Sequence, residues 1–294
     1  MDLREFFKKE KNIRAGMWLA RLTPRVLGYR VAEYAGNKIA ESKPAVYQQL
    51  RENISYIPGA NHEPGKLDEL TRRAFINAAK YYYDFYHVIG KPSSKIIENV
   101  HIPQSLFDQI KQIQASGRGV LIAGIHLSNF DLGSLCLAAL GLKVQGLSAA
   151  SPNGGYQFQN EIRKKYGFYT TPINPQSLRE AIHNLNNGKI VAGGLDWPQH
   201  DETELTEVFG KPAYVPLGTA RLALLSNAVT IVIAFYKDSR PGYQLHYSEP
   251  MEVIRTGNKR EDIKLNTRQY IAFFENIVSQ YPDQWLMFHK FWAN

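Results

Sequence analysis

The sequence predicts an α/β protein with a mixed, largely parallel sheet flanked by helices and a helical N-terminal region. Two textures carry that reading. Residues 1–95 have helical spacing and a basic character, whereas from about residue 100 short apolar runs alternate with helical patterns, as in strand–helix–strand units. Composition agrees: with 44% hydrophobic and 21% charged residues in a chain of 294, a sizeable core can form, and disorder, collagen and coiled coil are excluded.

The N-terminal elements come first. In GMWLARLTPRVLGYRVAEYAG, residues 16–36, Trp18, Leu19, Leu22, Val26, Leu27 and Val31 recur mostly three to five residues apart. Arg21, Arg25 and Arg30 are interleaved with them, and Arg14 lies just before. An interfacial membrane helix has this pattern, and so does a surface helix that docks its apolar stripe on a core. Pro24 must kink the segment or split it. A second helix is expected from about Lys66 to Val88. Its crowd of Phe75, Tyr81, Tyr82, Tyr83, Phe85 and Tyr86 reads as helix core whose hydroxyls find partners. Lys91-Pro92-Ser93-Ser94 is turn chemistry.

The strands follow. Val120–Ile125 is a short apolar run, and 143–149 is a mixed run read as a strand. Ile190–Gly194 is a third, and Val229–Tyr236, β-branched and almost free of polar residues, should be central. Gly242–Tyr247 alternates as an edge or half-buried strand does. Helical patterns fall at about 131–140, 157–167, 176–187, 216–226 and 265–280. The chain thus divides into a basic helical region, 1–95, and an α/β core, 96–294, read as one continuous domain.

Charge and special residues limit the function. Lys and Arg number 35 against 27 Asp and Glu, a net charge of +8, with a pI near 9.3. Such a surplus suits nucleic acid, anionic lipid or an acidic carrier protein. No nucleic-acid motif is present, so no nucleic-acid partner is expected. Cys136 is the one cysteine, which excludes an intrachain disulfide. No stretch has the roughly 20 apolar residues of a spanning helix: Gly16–Gly36 is broken by arginines and Glu33, and Val120–Leu142 holds His126, Asn129 and Asp131. The start, MDLREFFKKEKNIR, has mixed charge where a signal peptide needs an apolar core, so an intracellular chain is expected.

The informative segment is GVLIAGIHLSNFDLGSL, residues 119–135. A buried strand ends at Ile125, His126 follows at once, and Ser128 or Asn129 can cap the next helix. Ligand sites of α/β folds lie at strand carboxyl ends beside helix N-termini. From the first helical turn the Asp131 carboxylate can reach back to His126, fix its tautomer and make the other ring nitrogen a better base. The same two residues also read as a buried histidine satisfied by a local carboxylate. Other chemistries lack their residues. There is no Gly-x-Ser-x-Gly elbow around Ser128 or elsewhere, Cys136 lies in an apolar helix, and neither zinc-ligand spacing nor a phosphate loop occurs.

His126-Leu-Ser-Asn-Phe-Asp131-Leu-Gly133 resembles the histidine–four residues–acid motif of acyltransferases. Its surroundings are similar to those of the lipid A biosynthesis (lauroyl/myristoyl) acyltransferases and their phosphatidylinositol-mannoside relatives. Three further blocks agree in order: Asn160–Gly167 with Arg163; Leu195-Asp196-Trp-Pro-Gln with Val208–Ala213 and Pro216–Ala220; and Tyr281–Leu286 with His289 and Trp292. The resemblance implies a glycerolipid-acyltransferase-like fold. It also implies transfer of a fatty acyl group from acyl carrier protein or coenzyme A to a hydroxyl of an anionic membrane glycolipid, without a cofactor or metal. His126 would be the general base and Asp131 its orienting acid, with Asn129, Arg163 and Asp196 binding substrate. Members commonly begin with a hydrophobic anchor, replaced here by the arginine-broken segment. Peripheral attachment at the cytoplasmic side of the inner membrane is therefore expected. Members often carry a second acid soon after the central aspartate, where this chain has Trp-Pro-Gln-His before Asp201; Asp196 and Glu207 both stand as candidates for the supporting acid.

Overall fold

The computed structural model describes residues 10–60, 63, 65–148, 154–197 and 203–293. The charged start of the chain, Ala149 at the end of one expected strand, and Asp201 lie outside them. Pro24, which has no N–H to donate, separates the arginine-rich segment into α1 (Glu10–Leu22) and α2 (Arg25–Ser42). α3 (Ala45–Ser55), α4 (Lys66–Val88) and α5 (Ser93–Ile97) complete the helical region.

The α/β part then runs β1 (Val100–His101), α6 (Gln104–Ala115), β2 (Gly119–Gly124), α7 (Phe130–Ala139), β3 (Val144–Ser148), α8 (Gly154–Lys165), β4 (Phe168–Pro172), α9 (Pro175–Asn186) and β5 (Ile190–Gly194). A hairpin of β6 (Thr203–Val208) and β7 (Lys211–Pro216) leads to α10 (Gly218–Leu225), β8 (Ala228–Tyr236), β9 (Tyr243–Tyr247) and α11 (Lys259–Gln280).

Seven strands form one sheet in the order β1-β9-β8-β2-β5-β3-β4. All its pairings are parallel except β8 with β9. β8 is central, and eight of its nine residues are buried. β2 sits between β8 and β5, and its register pairs Gly124 with Gly194. Alternation along β2 builds the core on both faces. Val120 and Ile122 join the cluster under α7, Leu121 joins one with Ala181 and Leu185 of α9, and Ala123 joins a third with α11 residues such as Phe274.

Residues on either side of position 95 share these clusters. α4 gives Leu67, Ala74 and Phe75 to one and Tyr81, Phe85 and Tyr86 to another. Within α4, Asp84 is buried and accepts hydrogen bonds from Tyr29 and Tyr243, with Arg25 3.1 Å away, tying α2 and β9 to one carboxylate. Of the crowded tyrosines, Tyr81 and Tyr86 are core and Tyr83 donates to the Thr23 carbonyl, but Tyr82 is 44% exposed.

The structure departs from the sequence reading at several elements. α6, β4 and the β6–β7 hairpin are additions to the expected elements, although Leu106, Ile110 and Ile113 of α6 do recur at helical spacing. The last helix starts at Lys259 rather than near 265, since the Asn258 side chain caps it by accepting from Arg260 and Glu261. β9 is not an edge: two-residue β1 pairs its outer side. Nor do α1 and α2 dock the apolar residues that mark them. They dock Ile13, Met17 and Ala20, and Gly28, Ala32, Gly36 and Ala40, while Trp18, Leu19, Leu22, Val26, Leu27 and Val31 face outward.

Candidate active site

The site is built where β2 and β5 end side by side. Gly124 and Gly194 are register partners, and His126 and Asp196 lie two residues beyond each, so parallel pairing delivers an imidazole and a carboxylate to one place. His126 Nδ1 is 2.7 Å from Asp196 Oδ1, and the His126 backbone N–H donates to the same carboxylate at 3.1 Å. Trp285 donates from Nε1 to Oδ2 at 2.8 Å. Asp196 is fully buried. A buried carboxylate is tolerated only where it is well hydrogen-bonded, and these donors satisfy both its oxygens.

The ring is held on its other sides too. Phe130 packs edge-on at 4.6 Å between centroids and Trp197 lies at 4.9 Å, with His289 beyond it. A Cβ at Gly194 would come within 3.1 Å of His126 Cε1, so the absence of a side chain there makes room for the imidazole. The turn after His126 passes through Ser128 at φ 53, a left-handed conformation unusual for a residue other than glycine. The C-terminal segment fixes it: Ser128 N–H donates to the Gln284 carbonyl at 2.8 Å, and Leu286 N–H donates to the His126 carbonyl at 3.0 Å. With Nδ1–H given to Asp196, the lone pair of the neutral ring rests on Nε2.

His126 borders a cleft of about 140 Å³. Its walls are largely apolar, with Ile122, Ile125, Phe130, Leu147, Phe168 and Phe235, and its floor is made close by Gly124, Gly146, Gly193 and Gly194 at the strand ends. Gly133 lets the Phe235 ring lie against α7, where a Cβ would overlap it at 2.4 Å. Asp131 and Arg163 supply charge to the lining. Their side chains pair at 2.6 Å, and Asn160 also accepts from Arg163 at 2.7 Å.

This geometry corrects several expected roles. The carboxylate on His126 is Asp196, not Asp131; the Asp131 carboxylate is held by Arg163, from α8. Glu207 is exposed on β6 and pairs in register with Pro212 of the hairpin. Asn129 is 4% exposed, its oxygen capping α7 through Leu132 N–H and its amide donating to the Tyr81 carbonyl, so it is engaged inside the protein rather than turned to a ligand. Arg163 is 5% exposed, unlike its exposed neighbours Lys164 and Lys165. Burial pushes the Cys136 thiol up to about 12, which suits core packing and not nucleophilic attack. Trp285 and Gly194 went unassigned. Trp285 falls in the C-terminal block, but no spacing links it to a residue 89 positions earlier.

Fold and site together define the class: an α/β protein with an acid-paired imidazole beside an apolar cleft at strand carboxyl ends. The chain belongs to the bacterial lipid A biosynthesis acyltransferase family, whose profile matches residues 13–294. It is accordingly an acyl-transferring enzyme of the glycolipid class. Over 251 residues it is 20% identical to a phosphatidylinositol mannoside acyltransferase of Mycobacterium tuberculosis (strain CDC 1551 / Oshkosh), spanning 83% of this chain and 77% of the relative. Over 196 residues it is 24% identical to a lipid A biosynthesis lauroyltransferase of Escherichia coli (strain K12), spanning 62% and 59%. Among the described residues, no helix is long and apolar enough to cross a membrane.

Proposed function

We propose that the protein moves a fatty acyl chain from a thioester, on acyl carrier protein or coenzyme A, to a hydroxyl of an anionic membrane glycolipid. The acceptor is a lipid A precursor or a glycolipid of the phosphatidylinositol-mannoside kind. His126 Nε2 takes the hydroxyl proton as the oxygen attacks the thioester carbonyl. The C–O bond forms, the C–S bond breaks, and the imidazolium returns its proton to the departing thiolate. Asp196 holds the imidazole in the productive tautomer and stabilises its charged form, as a buried acid behind a catalytic histidine does. The acyl chain lies in the cleft walled by Ile122, Phe168 and Phe235. Arg163, kept in place by Asp131, faces the anionic part of a substrate. The work is done at the cytoplasmic face of the inner membrane, where acyl thioesters are made.

The observation that carries this reading is the His126–Asp196 pair, 2.7 Å apart, on the wall of an apolar cleft. The test is acyl transfer followed by mass spectrometry. Both thioester donors are offered with a panel of bacterial glycolipids to the wild type and to His126→Ala. The expected result is a mass gain of one acyl chain, slowed in the variant by about 10³-fold, within the usual contribution of a general base. Free fatty acid without acylated lipid would replace the proposal with a thioesterase, and a variant as active as the wild type would remove His126 from the chemistry.

A further inference from the structure

α3 carries an amide into the core that no step at His126 touches. The inward stripe of the helix is Tyr47, Leu50, Asn53 and Ile54, and Asn53 on it is fully buried. A buried amide costs free energy unless its protons find acceptors. Asn53 Nδ2 donates to the Met287 carbonyl and to the His289 carbonyl, each at 2.7 Å. The Asn53 backbone carbonyl in turn accepts from Trp292 Nε1 at 3.1 Å. One residue thus grips the C-terminal segment at three places. A side chain of this size needs an amide nitrogen to serve two carbonyls, since a hydroxyl has one proton to give and a carboxylate has none.

The gripped segment is irregular. Between the bridges of Leu127 with Trp285 and of Ala213 with Trp292, residues 286–291 form neither helix nor strand. Such a stretch takes its course from the groups that satisfy its backbone from outside. Both of its arms bear on the acid-paired imidazole. Just before Met287, Leu286 N–H donates to the His126 carbonyl, and Trp285 Nε1 donates to Asp196. At the other carbonyl, the His289 ring meets Trp197 edge-on at 4.4 Å between centroids, and Trp197 lies 4.9 Å from the His126 ring. A shift of the two carbonyls therefore moves the indole on Asp196 and the aromatic wall on His126 together. Asn53 itself is outside the lining of the cleft, so its effect on a reaction there passes through these contacts.

We propose that Asn53 is a positioning residue for the His126–Asp196 pair: its two hydrogen bonds hold the C-terminal segment so that Trp285 and Trp197 keep the carboxylate and the ring in place. Its effect on rate rests on the acyl-transfer reading; its effect on the ring does not. The test sets Asn53→Ala beside Leu50→Ala, which removes buried packing about one turn earlier on the same stripe and takes no hydrogen bond from the segment. Both are assayed well below their unfolding midpoints with one thioester donor and one glycolipid acceptor. Asn53→Ala should lower kcat by about tenfold with little change in KM, as a displacement of less than an ångström far from the chemistry does. Leu50→Ala should lower the unfolding midpoint and leave kcat near the wild-type value. Nitrogen chemical shifts of isotope-labelled imidazoles, taken at a pH where the rings are neutral, read the tautomer directly. The His126 signals are those lost in His126→Ala. The wild type and Leu50→Ala should hold the Nδ1–H form, and Asn53→Ala should show both tautomers. If Asn53→Ala does not fold, Asn53→Ser, which keeps one proton to give, makes the same comparison with a smaller fall. A wild-type kcat or an unmixed tautomer in the Asn53 variant would overturn the proposal and leave a stabilising contact. So would equal changes in Leu50→Ala, which would trace the effect to a general loosening of α3. A wild type that transfers no acyl chain, with the tautomer still mixed by the Asn53 variant, would remove the acyl-transfer reading and leave the positioning role standing.

Discussion

Asp196 and Asp131 both follow strand ends near the same cleft, yet their surroundings assign them opposite tasks. Asp196 is wholly buried and its donors are an imidazole, a backbone N–H and an indole. Asp131 is about a third exposed and meets a guanidinium that is itself almost buried. The first arrangement sets the tautomer of one ring and leaves the carboxylate no other contact to make. The second neutralises an arginine and aims it. The difference teaches that, in this fold, the acid that meets the histidine comes from the neighbouring strand, and the acid nearest in sequence pairs with the arginine of the cleft wall.

The largest effect that would break this comparison is on Asp196. Asp196→Asn keeps the shape but can present an amide N–H to Nδ1, favouring the wrong tautomer, so transfer should fall by about 10³-fold with little change in KM. Steady-state rates with one donor and one acceptor check this; a fall of the same size in Asp131→Asn and a small one here would exchange the two roles. Next comes Trp285→Phe, which removes one hydrogen bond from the buried carboxylate while keeping most of the packing. A loss of about 1.5–3 kcal/mol in stability is expected, read by denaturant unfolding, with about a tenfold lower kcat. Asp131→Asn should act mainly on KM for the anionic substrate and on stability, by about 1–3 kcal/mol, since the buried Arg163 keeps Asn160 but loses its charge partner, which is itself partly screened by solvent. A kcat change without a KM change in that variant would move Asp131 into the chemical step. The smallest effect is that of Gly194→Ala. Its methyl would press on His126 Cε1, where the neighbour must give by a few tenths of an ångström, and kcat should fall several-fold, to about a fifth, with the unfolding midpoint unchanged.

Much of the site was legible because strand ends are marked in the sequence. Val120–Ile125 is an apolar run that stops at a histidine, and Ile190–Gly194 is another that stops two residues short of an aspartate. What was missing was the information that these two strands are neighbours. β5 inserts between β2 and β3 although β3 and β4 precede it in the chain, and hydrophobic period carries no trace of that order. Local spacing favoured Asp131, only five residues from His126, over a partner seventy residues away. In the N-terminal region the period marks the helices but leaves open which way their apolar face points. The apolar residues do share a helix face, but on α2 close packing against α4 leaves room at the buried positions only for Gly28, Ala32, Gly36 and Ala40.

The sequence by itself determined the class of fold, the break at Pro24, the position of His126 at a strand end and the blocks that place the chain in its family. These depend on local propensity, on side-chain period and on residue identity, all of which act within a few turns of the chain. Tertiary structure alone decided which carboxylate meets the imidazole, that Trp285 completes it, that Arg163 is buried, and which faces of α1 and α2 point outward. Each of these follows from strand order, register and the distance between helix axes. Those quantities exist only once segments remote in sequence have packed together.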